Sequence, residues 1–167
     1  QGCRLRRLRE TVTDRTSVIA NWIQRDKTST VQLFSHVHLP VPRQMLATSP
    51  AAAVRAAQSF DRPVVVKPAD SKKGMGISIN VSGEEAVHAA FRLAQRYSSS
   101  TIIETFIPGD DHRVLVVGGK IVAAARTIAA GVSGDGRRSV ADLVAEANRD
   151  PRRGPGFSKL MNFIQLD

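Results

Sequence analysis

Residues 64–81 read Val64-Val65-Val66-Lys67-Pro68-Ala69-Asp70-Ser71-Lys72-Lys73-Gly74-Met75-Gly76-Ile77-Ser78-Ile79-Asn80-Val81, and the rest of the chain is read outward from them. Three β-branched residues in a row predict a short strand of the kind buried in sheets. A polar loop with two glycines follows, after which residues 77–81 alternate apolar and polar with the period of a half-buried strand. Lys67 at the strand end presents a fixed ammonium. Gly74 and Gly76 let backbone N–H groups approach and surround phosphate oxygens, and Lys72 and Lys73 add positive charge over the same region. Taken alone, a Gly-x-Gly turn between two strands is more often a simple hairpin loop. The spacing is neither that of the P-loop, which needs a lysine directly after its second glycine, nor that of a dinucleotide fingerprint.

Upstream, Val18, Ile19, Trp22 and Ile23 mark one face of a first helix, and Asp26 caps a second helix whose stripe is Val31, Leu33, Phe34 and Val37, ended by Pro40 and Pro42. Residues 45–48 predict a short strand. Ser49-Pro50 then opens a helix running to about Phe60, in the cap-then-proline order. Downstream, Ser82-Gly83-Glu84-Glu85 begins a helix that runs to about Tyr97, with two acids in its first turn. Residues 101–104 form a strand, and residues 112–117 and 120–125 form two more, joined at Gly118-Gly119 as a tight hairpin. Ser139 caps a last helix from Val140 to about Asn148, and residues 150–156 read as an extended basic loop. The order of elements predicts an α+β chain built around antiparallel pairs.

Composition bounds the function classes. The chain has 167 residues, 42% hydrophobic and 23% charged, which is the balance of a globular protein large enough to build a core without disulfides or a structural metal. Its only cysteine, Cys3, excludes an intramolecular disulfide and cysteine-rich zinc sites, and the expected compartment is the reducing cytoplasm. The apolar stretch from Val114 to Val132 is broken by Lys120, Arg126 and two glycines, so no membrane partner is expected. The basic N-terminus has no apolar segment behind it, and the absence of an initiator Met predicts a fragment or a processed chain. Lys and Arg number 24 against 15 Asp and Glu, a net charge of +9, which attracts anions: nucleic acid, nucleoside triphosphate, acidic lipid or acidic polymer. The basic runs at residues 4–9 and 149–153 contain no aromatic residue to stack on bases, so nucleic-acid or acidic-polymer binding stands only as a non-specific alternative.

Two further clusters carry candidate chemistry. In residues 102–113, a strand with Glu104 runs into a turn holding Asp110, Asp111, His112 and Arg113, which taken alone reads better as a solvated turn with a structural His–Asp contact. Arg126 lies at a strand end, where a guanidinium clamps a carboxylate or phosphate or makes an ordinary surface ion pair. The four histidines, at 36, 38, 88 and 112, have no metal-ligand spacing.

The segments Asp26-Lys27-Thr28, Val65-Val66-Lys67-Pro68-Ala69-Asp70, Gly74-Met75-Gly76-Ile77, Ile103-Glu104-Thr105-Phe106-Ile107-Pro108-Gly109, Asp111-His112-Arg113-Val114, Gly134-Asp135-Gly136 and Asn148-Arg149-Asp150-Pro151-Arg152-Arg153-Gly154 occur in this order. As an ordered set they resemble the ATP-grasp family, in particular its glutathione-synthetase-like domains of cyanophycin synthetases and bifunctional glutathione synthetases. The resemblance implies an ATP-dependent carboxylate–amine ligase with ATP between two α+β lobes, joining an acidic small-molecule, peptide or polymer carboxylate to an amine through an acyl phosphate. It implies that Lys27 and Lys67, with Lys72 and Lys73, meet the phosphates, and that Gly74 and Gly76 form the loop over them. Glu104, Thr105, Phe106 and Ile107 would read the adenine edge, Asp111 would hold the ribose, and Arg113 and Arg126 would act catalytically at the γ-phosphate or acidic substrate. The implied organisation is a basic, helical and linker part at 1–62, a small lobe with the glycine loop at 63–107, and the start of a C-terminal lobe at 108–167. The Mg²⁺ ligands of such enzymes are expected beyond Asp167, so the chain as given is expected to be the incomplete fold of a fragment, binding nucleotide without turnover. Self-association is left open.

Overall fold

The computed structural model describes residues 7–9, 12–70, 74–156 and 158–166. The backbone divides into two units, Gln1–Pro108 and Gly109–Asp167. In the first, β1 (Leu8–Arg9) pairs antiparallel with β2 (Val12–Thr13), two short strands for which the sequence carries no prediction. Two helices then abut, α1 (Val18–Arg25) and α2 (Lys27–His36). Asp26 separates them: its backbone N–H closes α1 on Trp22 and Ile23 carbonyls, and its carboxylate accepts from the Thr28 and Ser29 N–H groups at 2.9 and 3.0 Å. The Ser29 amide in particular holds that carboxyl below its ordinary range.

The apolar stripes of both helices depart from expectation. Val18, Ile19 and Trp22 are 83%, 71% and 61% exposed, and Leu33, Phe34 and Val37 are exposed as well. Helical periodicity marks which residues share a face, but it does not supply the surface that covers them. The second helix also ends at His36, before the prolines, where Val37 closes it and His38 turns left-handed at φ 58°.

The remainder of this unit is a sheet with two helices on one face. β3 (Gln44–Ala47) leads to α3 (Pro50–Ser59), whose cap Ser49 accepts from the Ala52 N–H. β4 (Val64–Pro68) and β5 (Ser78–Val81) flank the glycine loop, and α4 (Glu84–Gln95) precedes β6 (Thr101–Thr105). The strand order is β3-β6-β4-β5, with every pair antiparallel. Alternation sends Ala47, Val64, Val66 and Ile103 into a core with Phe60, Phe91 and the alanines of α3 and α4. Val65, Lys67, Ile102 and Glu104 point to the other face. Val64 and Val66 are buried and Val65 half-buried, and on the face that Val65 shares Ile102 is buried as well.

In the second unit β7 (Asp111–Val117) and β8 (Lys120–Thr127) form the expected hairpin. Gly118 and Gly119 take φ of 57° and 77°, the left-handed pair that a two-residue turn matching strand twist requires. Every residue of both strands is exposed. α5 (Val140–Ala147) begins in a reciprocal capping box between Ser139 and Asp142 and buries Leu143 and Val144. Residues 150–156 are not the extended loop that their composition suggests. Arg152 folds onto Asp150, and β9 (Arg153–Gly154) pairs in parallel with β10 (Met161–Asn162). The Asn148 side chain holds the returning backbone through both the N–H and the carbonyl of Ile164. The chain is thus α+β with mixed but mainly antiparallel pairing, and none of its described helices is long and apolar enough to cross a membrane.

Candidate functional site

The face of the four-stranded sheet turned away from α3 and α4 carries the charged residues that the sequence singles out. Val65 pairs with Glu104 and Lys67 with Ile102 in the β4–β6 register, so Lys67 and Glu104 are diagonal neighbours on one face. Lys67 Nζ lies 2.7 Å from Glu104 Oε2, with the side chains only 17% and 13% exposed. Partial exclusion of water strengthens the pairing and makes loss of either partner costly. At the end of β4, Lys27, the first residue of α2, donates from Nζ to the Pro68 carbonyl at 3.1 Å. Burial, and then the Lys67 charge, push the Lys27 ammonium below its ordinary pKa, while Asp70 and Glu104 oppose that shift. Lys27 and Lys67 therefore converge, with Asp70 and Glu104, where the chain leaves β4 for the glycine loop.

Gly74 and Gly76 both take left-handed φ, 77° and 72°. Lys72 and Lys73, assigned to the same loop by sequence, lie outside the described residues. Beyond Glu104 the strand behaves differently from residue to residue. Thr105 faces the helices, buried, with its Oγ1 accepting from the Arg43 N–H at 3.1 Å and its own N–H donating to the Arg43 carbonyl. The Phe106 N–H donates to the Pro63 carbonyl at 2.9 Å, while Ile107 is 60% exposed. The backbone from 104 to 107 thus presents one charged, largely shielded side chain to the Lys67 face and one apolar side chain to solvent.

In the second unit Asp111 and Arg113 share one face of the hairpin, pairing with Thr127 and Ala125. Arg126 pairs with His112 and so lies on the opposite face, where it reaches Asp110 at 3.1 Å in an exposed ion pair. Arg113 and Arg126, grouped by sequence, are therefore separated by the alternation of the strands. Asp135 accepts from the Arg137 and Arg138 N–H groups, both at 2.9 Å, and from Arg138 Nε at 2.7 Å; these bonds, that from the Arg138 amide foremost, hold its carboxyl at about 2.

Sequence reasoning missed three neighbours of this face. Gln44 pairs with Glu104, its Nε2 reaches the Lys27 carbonyl at 3.5 Å, and its Oε1 is buried with no partner among the described residues. The polar residue in the alternation Gln44-Met45-Leu46-Ala47 is the signal that could have found it. Tyr97 and Ser98 had none, because their contacts with the loop are tertiary.

A RimK-like ATP-grasp domain model matches residues 24–141, the interval that holds both the Lys67–Glu104 face and the hairpin. The chain belongs to the ATP-grasp family. Among ATP-grasp relatives, it is 38% identical to a cyanophycin synthetase of Nostoc sp. (strain PCC 7120) over 99% of its own length and 18% of that protein. It is 35% identical to a glutathione biosynthesis bifunctional protein of Listeria welshimeri over 92% of its own length and 20% of that protein. The chain spans about a fifth of the length of these curated relatives. The solved D-alanyl-alanine synthetase A from Vibrio cholerae superposes with a TM-score of 0.54 at 18% identity, covering 64% of this chain and 35% of that one, and supports the ATP-grasp fold alone.

Proposed function

We propose that this chain is the nucleotide-binding part of an ATP-dependent carboxylate–amine ligase of the cyanophycin synthetase type. The convergence of Lys27 and Lys67 at the stem of a left-handed glycine loop carries this reading. Two ammonium groups set beside the stem of a glycine-containing loop offer fixed positive charge to phosphate oxygens. In this proposal a phosphate replaces the Glu104 carboxylate as the partner of Lys67, releasing Glu104 toward the adenine edge with the backbone of Thr105, Phe106 and Ile107. Lys72, Lys73, Gly74 and Gly76 add contacts to the phosphates, and Asp111 holds the ribose hydroxyls. The segments 1–62, 63–107 and 108–167 are carried into the proposal as the basic, helical and linker part, the small lobe and the start of the C-terminal lobe.

The reaction proposed is attack of a substrate carboxylate on the γ-phosphorus, giving an acyl phosphate and ADP, followed by attack of an amine on the acyl carbon with loss of phosphate. Cationic side chains lower the barrier of the first step because negative charge on the transferred group is spread and shifting. Arg113 or Arg126 would serve there, each from its own face of the hairpin. Magnesium, which such ligases use with ATP, finds no fitting ligand set: among the described residues no group of three or more His, Cys, Asp or Glu could hold an ion. No step is therefore routed through a metal, and the proposal for the chain itself is nucleotide binding.

Isothermal titration with ATP tests it. The wild-type chain is expected to bind, and Lys67→Ala to weaken binding by about tenfold or more, the loss of one charge-assisted contact. Equal binding by the two would remove Lys67 from the site.

A further inference from the structure

The five residues between α4 and β6 hold both ends of the glycine loop. On the entry side, the Ala69 N–H donates to the Ser100 carbonyl at 2.9 Å, extending the β4–β6 ladder one step past the Pro68–Thr101 pair. The next residue, Asp70, accepts from Ser98 Oγ at 3.1 Å, and that same oxygen accepts from the Ser100 N–H at 3.2 Å. On the exit side Gly76 lies against Tyr97. A Cβ there would stand 2.5 Å from Tyr97 Cδ2 and 3.0 Å from Pro68 Cγ, closer than packed atoms tolerate. Gly76 is thus required twice over, by its φ of 72° and by the ring that fills the space of a side chain. The connector itself hangs from a rigid support: the Tyr97 and Ser98 N–H groups both donate to the Ala94 carbonyl, and Ala94 and Phe91 are fully buried.

We propose that this connector is a bracket for the glycine loop and that Tyr97 is its positioning residue. Tyr97 orients the exit stem by ring contact while Ser98 and Ser100 fix the entry stem, so the loop leaves and rejoins the sheet in a preset direction beside Lys27 and Lys67. Tyr97 has a second distinguishing feature. It is 44% exposed and stands outside the buried core, so its replacement is expected to leave the packing of α4 in place. The benefit to ligand binding is preorganisation: a loop whose two stems are already fixed loses less conformational freedom on capture. This last step rests on the nucleotide reading above; the bracket does not.

Amide hydrogen exchange by NMR on the 167-residue chain, alongside ATP titration, tests both parts. Tyr97→Ala is expected to speed exchange of the Ala69 amide by about tenfold, with α4 and β6 amides and the melting temperature nearly unchanged, because only a local opening is made easier. Tyr97→Phe, which keeps the ring, should match wild type, and Ser98→Ala, which removes the bonds to Asp70 and to the Ser100 N–H but keeps the ring contact, should show a smaller rise. ATP affinity should fall by about fivefold in Tyr97→Ala and be restored in Tyr97→Phe. Unchanged Ala69 exchange in Tyr97→Ala, or acceleration spread equally through α4 and β6, would overturn the bracket. Faster exchange with undiminished ATP affinity would overturn the positioning role. If the wild-type chain binds no ATP, the nucleotide reading falls and exchange alone decides the bracket. Should Tyr97→Ala fail to fold, Ser98→Ala carries the same exchange test.

Discussion

The four-stranded sheet and the β7–β8 hairpin are both antiparallel and rich in apolar residues, yet only the first makes a core. In β4 and β6 the residues facing α3 and α4 are buried, Ile103 and Val66 completely. In the hairpin, Val114, Leu115, Val116 and Val117 are each more than half exposed, as are Ile121 and Val122. The hairpin's apolar residues point to both faces, which is the composition of a strand pair meant to be covered on each side. What separates the two regions is what packs on them: two amphipathic helices on the sheet, and no comparable layer on the hairpin among the described residues. Ladder hydrogen bonds set the local geometry in both, while burial sets the stability in one.

The largest test of that contrast compares truncations. Phe91→Ala, which empties the core beneath the sheet, is expected to cost about 3–5 kcal/mol in urea unfolding, whereas Val116→Ala should stay within about 0.5 kcal/mol. Similar costs at the two sites would mean that the hairpin is covered in solution. A second, smaller contrast lies in the ion pairs. Lys67→Met leaves the shielded Glu104 carboxylate without its partner and should destabilise by about 1–3 kcal/mol, most of it regained in Lys67→Met/Glu104→Gln. Arg126→Ala breaks a pair whose side chains are 54% and 61% exposed, and about 0–1 kcal/mol is expected there. A cost for Arg126→Ala as large as for Lys67→Met would erase the distinction between a shielded and a solvated pair.

The smallest effect is in the pH response. The Asp135 carboxyl is held at about 2 against an ordinary 3.8, so the folded form binds its proton less readily than the unfolded form. Its stabilising contribution is whole above 3.8 and is lost as pH falls through about 2. Lys27 in the first unit works at the alkaline end: its depressed pKa means that its charge opposes folding at neutral pH, and that opposition fades as pH rises toward 10.5. Carbon NMR of the Asp135 carboxyl is the direct check, and a midpoint at the ordinary value would show that the Arg137 and Arg138 amides do not hold it.

Much of the local structure was legible in the residues. Asp26, Ser49 and Ser139 announce helices because a short polar side chain satisfies the unpaired N–H groups of a first turn, and Gly118-Gly119 announces a hairpin because only glycine enters such a turn without strain. Lys67 and Glu104 were legible as separate candidates. Their ion pair was not, since it depends on the register of strands 37 residues apart in sequence. Nor was the exposure of the α1 stripe, the parallel pairing of β9 with β10, or the fit of Tyr97 against Gly76, each of which depends on which segments meet.

The sequence by itself determined where helices start, where the chain turns, that the protein is α+β, and, through the order of its motifs, that it belongs to the ATP-grasp family. These follow from interactions within a few residues or from the order of segments along the chain. Only the tertiary structure decided that Lys27 and Lys67 converge, that Arg113 and Arg126 part to opposite faces, and that one short connector grips both stems of the glycine loop. The physical reason is that strand register and helix packing choose among faces that local spacing leaves equivalent.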